Sequence, residues 1–119
     1  MNKLIILLLA FSSVAHADDE AKIKQAQQQC QYKAMIASTT QQTRQDYKAE
    51  FNEYQSWESF LHYVAEELNL KHDEGLKNAL EISKHVFFDY ATETEPSDVL
   101  GVEFDKCWNK FLNENGEAI

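Results

Sequence analysis

The sequence predicts an all-α protein, a small four- to five-helix bundle whose first and last helices are joined by a disulfide. Three observations carry this. Only Gly75, Gly101, Gly116 and the single Pro96 interrupt 119 residues, whereas the good helix formers Ala, Glu, Gln, Lys and Leu abound. Apolar residues recur at spacings of three and four, the period that gathers side chains on one face of a helix. The two cysteines, Cys30 and Cys107, fall within the first and last of these periodic stretches.

The opening MNKLIILLLAFSSVAHADDE has one basic residue, Lys3, then an unbroken apolar run over 4–11, then Ala15-His16-Ala17. That is the layout of a secretory signal peptide, with small residues placed for cleavage between Ala17 and Asp18. A run this short falls well below the roughly 20 residues needed to span a bilayer. Residues 1–17 are therefore expected to be removed, leaving 18–119 as a single domain with no membrane insertion after cleavage. No cysteine follows the cleavage point to accept a lipid. The expected location is the periplasm or the outside medium.

The formal charge is −9, and loss of Lys3 with the leader makes it −10. That sign disfavours nucleic acid and anionic lipid and favours a basic partner. Export to an oxidising compartment predicts that Cys30 and Cys107 pair, since neither has metal-ligating neighbours.

Asp18 or Asp19 can cap the first helix. Its inner face is expected to be Ile23, Ala26, Cys30, Ala34, Ala37 and Gln41, a narrow alanine-rich stripe that lets a neighbour approach closely. Tyr32, Met35 and Ile36 lie on the opposite side. From Arg44 the pattern shifts phase, because Tyr47, Phe51 and Tyr54 rotate away from the stripe. An uninterrupted helix over 19–55 would exceed about 50 Å at 1.5 Å per residue, so a break is expected at 44–46.

Ser56 is a fitting cap for a second helix with Trp57, Phe60, Leu61, Val64 and Leu68 inward. A polar link over 69–72 leads to Asp73, which can cap a third helix facing inward through Leu76, Ala79, Leu80, Ser83, Phe87 and Tyr90. The segment ATETEPSD carries turn chemistry and places Pro96 in the first turn of a fourth helix. There Leu100, Phe104, Cys107 and Phe111 share a face, and this helix is expected to be the one around which the others pack. Gly116 is placed to end the fold.

Candidate chemistry is sparse. His62 and Glu66, and likewise His85 and Asp89, stand four apart and could in principle hold a metal between neighbouring helices. Their helical phase turns both pairs away from the apolar stripes, towards water, so neither a metal nor a cofactor is expected. No glycine-rich elbow surrounds a serine and no HExxH is present, so no catalytic constellation for an enzyme emerges.

Surfaces are more informative. Tyr32, Met35, Ile36, Tyr63 and Phe88 fall off their helices' stripes, and Trp108 widens that of the fourth helix. Aromatic residues in such places mark protein contact surfaces. Around the third loop Glu93, Glu95 and Asp98 stand among further acids, a pattern that steers a basic partner.

A leader, one cysteine in the first helix, one in the last and only helices between them resemble two sorts of small periplasmic protein. One is the amidase immunity proteins of type VI secretion; the other is the HdeA-type acid chaperones. Uncharacterised bacterial and phage proteins are also similar, with counterparts of Cys30, Ala34, Ala37 and Arg44 before a segment like VEFDKCW. These resemblances imply a helical, disulfide-tied binding protein: an inhibitor or immunity protein for a basic cell-wall hydrolase or similar toxin, or an acid-activated holdase. A small secreted helical protein of another kind is the remaining expectation, and a second copy of the chain is a further candidate partner.

Overall fold

In the computed structural model, which describes residues 13–67 and 74–115, the chain forms four helices with no strand among the described residues. They are α1 (Ser13–Phe51), α2 (Trp57–Glu67), α3 (Glu74–Asp89) and α4 (Pro96–Asn115). The apolar run of the expected leader, Leu68, the link 69–72, the cap Asp73 and Gly116 lie outside the described residues. Among the described residues no helix is long and apolar enough to cross a membrane.

The long α1 is the organising element, and both α4 and α3 pack along it. This corrects the expectation that the last helix holds the centre. At 39 residues α1 measures about 58 Å. It begins upstream of the caps expected at Asp18 and Asp19, because 13–17 contain neither glycine nor proline to stop it. It also runs through 44–46 without the expected break. The change of phase there is a change of partner. One face of α1 continues against α3 and the loop after it through the polar residues Thr40, Gln41 and Arg44, all buried, while Tyr47 and Phe51 turn towards α2.

Asn52 ends α1 in the left-handed region, with φ of 55°, and its N–H bonds the Lys48 carbonyl at 2.8 Å. Asparagine is among the few residues that accept this conformation at a helix C-terminus. Ser56 then caps α2 as expected, its Oγ accepting from the Ser59 N–H at 3.0 Å. Pro96 opens α4, where its missing N–H removes nothing, and the Glu95 carbonyl receives the N–H groups of Asp98 and Val99.

Cys30 and Cys107 are bonded, with 5.5 Å between their Cα atoms and a separation of 77 positions in sequence. The close approach rests on the alanine stripe, since Ala26, Ala34 and Ala37 are all buried. At the centre Ala37, Val86 and Val99 are fully buried, with Ile82 and Tyr90 packed against them. Two inner faces are thus rotated from those expected. On α4 the buried position is Val99, and Leu100 is 37% exposed. On α3 Val86 joins Ser83 as the most buried position, because α3 turns one edge to α1 and another, through Phe87, to the rings of Trp57 and Phe60 at 5.4 and 5.1 Å.

Candidate functional site

The polar half of the α1 stripe holds the loop between α3 and α4. Arg44 Nη1 donates to the carbonyls of Val86 at 3.1 Å and Tyr90 at 3.0 Å, and to Gln41 Oε1 at 2.9 Å. Its Nη2 donates to Thr92 Oγ1 at 2.9 Å, and the guanidinium lies over the Phe87 ring at 4.7 Å. Gln41 Nε2 reaches the carbonyls of Ala91, Thr92 and Thr94, and Gln45 Nε2 reaches the last two from the next turn. Burial lowers the Arg44 pKa, an effect that the nearby Glu93 charge opposes. A guanidinium supplies five donors in a rigid plane, which suits it to gathering the carbonyls that a turning chain leaves without partners.

What this knot positions is acidic on its outside. Glu93, Glu95 and Asp98 are all exposed. Glu93 Oε1 accepts from the Tyr54 hydroxyl at 2.6 Å. That bond is the main reason the Glu93 carboxyl sits below its ordinary range, and the same bond pushes the Tyr54 phenol up. Tyr54 in turn carries the Lys48 ammonium over its ring at 4.9 Å.

The off-stripe aromatics do not converge on this loop. Tyr32, 64% exposed, and Met35, 53% exposed, join Ile36 along one side of an open, almost wholly apolar groove of about 340 Å³, whose other side is Phe60, Val64 and Leu80. Tyr63 belongs to a second groove, where α2 faces Tyr47 and Phe51 at the end of α1. Phe88 stands apart on α3, 67% exposed, with Lys84 Nζ 6.0 Å from its ring centroid. Trp108 is half-buried and stacks on Phe111 at 5.2 Å and on Phe104 at 6.5 Å. The structure therefore brings Tyr32, Met35 and Ile36 together along one groove, apart from Glu93 and Glu95 of the loop and Asp98 in the first turn of α4.

The His85 and Asp89 pair does not simply face water, because α3 turns His85 towards α4. His85 Nδ1 is paired with Asp89, and its Nε2 lies 3.2 Å from the Glu103 carboxylate. Glu103 also accepts from the Tyr90 hydroxyl and has Lys106 Nζ at 3.6 Å. Burial pushes the Glu103 carboxyl up, but Tyr90, His85 and Lys106 together hold it below its ordinary value, and burial beside that carboxylate raises the Tyr90 phenol. His62 is exposed on α2, and Glu66 lies in the last turn of that helix. Among the described residues no group of three or more His, Cys, Asp or Glu is arranged to hold a metal ion.

No family model, curated protein or solved structure matches the chain. The residues that sequence reasoning missed are polar ones. Arg44 lies three residues after Gln41, which itself lies four after Ala37, so extending the stripe one step would have placed it inside. Gln55, 8% exposed, carries no such signal, because it lies between two helices and its burial comes from how they meet.

Proposed function

We propose that the protein is an exported, surface-acting binding protein, an inhibitor or immunity protein that neutralises a basic cell-wall hydrolase or similar toxin by contact. The observation that carries this reading is the Arg44 knot. A buried guanidinium with two glutamines from α1 fixes the backbone of a loop whose outward side chains are Glu93 and Glu95, with Asp98 following in the first turn of α4. A loop held this way presents its charges without further ordering on binding, which favours affinity. A net charge of −9 adds long-range attraction for a basic protein. The leader supports action in the periplasm or outside the cell. The decisive assay is hydrolysis of suspended cell walls by a panel of basic peptidoglycan hydrolases at stoichiometric protein. Slowing of one hydrolase, weakened by salt and by Glu93→Gln/Glu95→Gln/Asp98→Asn, supports the reading; no slowing of any rejects it.

The Glu103 cluster favours a second reading, an acid-activated holdase. Its carboxylate ties His85 and Tyr90 of the α3 end to α4, and protonation weakens that tie. Full protonation of the carboxylates would take residues 18–119 from −10 to +13, counting the lysines, the arginine, His62, His72 and His85. Suppression of client aggregation at pH 2 to 3 supports this alternative, and unchanged light scattering removes it.

A further inference from the structure

Two ties hold α1 and α4 antiparallel: the Cys30–Cys107 bond and, further along, the Ser38 hydroxyl donating to the Pro96 carbonyl at 3.0 Å. On one side of this pair opens a groove of about 740 Å³ with a mostly apolar lining. Ala34 and Met35 form its α1 wall and Leu100 and Phe104 its α4 wall. Met35 is 53% and Leu100 37% exposed. The amides of Gln27 and Gln31 stand along the α1 rim and the Asp105 carboxylate on the α4 rim.

Gly101 lines the same groove. A glycine inside a helix weakens it, and the fold does not require one here, since a Cβ at this position would meet no atom within 4 Å. What the missing Cβ permits is the close approach of another backbone. Asp98, Gly101 and Asp105 follow one another at spacings of three and four, so they share a face of α4, and both acids are exposed. Charge decides between occupants. Among the described residues none of the lining side chains is basic; Lys106 is engaged by Glu103 and Lys110 lies beside Glu114. A second copy of the chain, meeting this face with its own, would set acid against acid, whereas a basic segment is attracted by the same charges. The α1 side of the groove, from Gln27 to Met35, measures about 12 Å, or roughly two helical turns.

We propose that this groove receives a short basic amphipathic helix of the partner. Its apolar residues rest on Met35, Leu100 and Phe104, its backbone passes over Gly101, and its basic residues face Asp98 and Asp105. Apolar anchors three and four residues apart are how a helix fills such a groove. Because the two ties hold both walls in place, the groove is formed before the helix arrives, which favours affinity. The proposal rests on the basic-partner reading and deepens it from an attractive field to a stated element of the partner. Asp98, in the first turn of α4, connects the loop acids to the groove.

The test is a backbone NMR titration of the intact disulfide-bonded protein with an amphipathic peptide of about 14 residues, with leucine at three- and four-residue spacing and lysine elsewhere. A scrambled peptide of the same composition keeps the charge and lacks the apolar stripe. Saturable shifts confined to 27–35 and 97–105 are expected, with the scrambled peptide binding about tenfold more weakly. Leu100→Gln, which leaves the charge alone, should weaken binding about tenfold with an unchanged circular dichroism spectrum. Gly101→Ala and Gly101→Gln should both raise the melting temperature yet weaken binding, the glutamine by more. A purely structural residue would not move stability and binding in opposite directions. Shifts confined to the 93–95 loop, or to the groove of Tyr32, Phe60 and Leu80, with both Gly101 variants binding as the original protein does, would overturn the proposal and leave the basic-partner reading in place. Equal binding of the scrambled peptide, or no saturable shift, would also overturn it. So would a dimer in sedimentation that Gly101→Gln dissociates, which would give this face to a second copy. The hydrolase assay judges the wider reading on its own.

Discussion

Arg44 Nη1 lies 3.0 Å from the carbonyl oxygen of Tyr90, 46 residues further along the chain, and through this bond α1 fixes the exit of α3. With Val86, Gln41 and Thr92 also engaged, the guanidinium takes the place of backbone partners that the loop lacks. Arg44→Met, which keeps bulk but removes the donors, should destabilise by about 3 kcal/mol because several buried acceptors lose their partners. Urea denaturation measures this. Hydrogen exchange at 91–95 should accelerate beyond the global change, and Arg44→Lys should restore only part of the loss because a point charge cannot reach all four acceptors.

Reduction of the Cys30–Cys107 bond, or Cys30→Ala with Cys107→Ala, should lower stability by about 4 kcal/mol, the chain-entropy value for a loop of 77 residues. Thermal melts with and without reductant would show it. Alkylation of the native, oxidised protein should find no thiol.

Glu103 contributes to the acid limb of stability. Its folded pKa lies below the ordinary 4.5, so its contribution is complete above that value and is lost as pH falls through the folded pKa. Melting temperature should therefore drop as pH is lowered through the carboxylate range. Glu103→Gln should be less stable at neutral pH yet show a shallower acid decline. An identical slope in both proteins would assign the decline to other carboxylates.

Gly101 sits inside α4, and a Cβ built there meets nothing within 4 Å. Gly101→Ala should therefore stabilise by about 0.8 kcal/mol, the helix-propensity difference at an exposed position. Calorimetry would register a rise in melting temperature.

These positions also mark how far the sequence could be read. The helical class, the Ser56 cap, Pro96 at the start of α4 and the Cys30–Cys107 bond follow from local chemistry and from the scarcity of breakers, and each is visible without tertiary knowledge. The continuity of α1 was not, because the shift of phase at Tyr47 reads as a break, whereas Arg44 extends the Gln41 face by satisfying carbonyls of α3 and of the loop after it, more than forty residues away. His85 was misplaced for the same reason. Glu103, from another helix, makes its half-buried position favourable. Of the candidate surface, Tyr32, Met35 and Ile36 were readable as a shared face from spacing. Gln55 was not, since its burial arises only where α1 meets α2.

Finally, α1 is fastened at two points: by a covalent bond at Cys30 and by the knot at Arg44, about 21 Å further along its axis. A rod pinned twice cannot roll. The azimuth of every outward side chain on α1, from Tyr32 to Glu50, is thereby registered against α4, and an incoming molecule meets a face already set in its bearing.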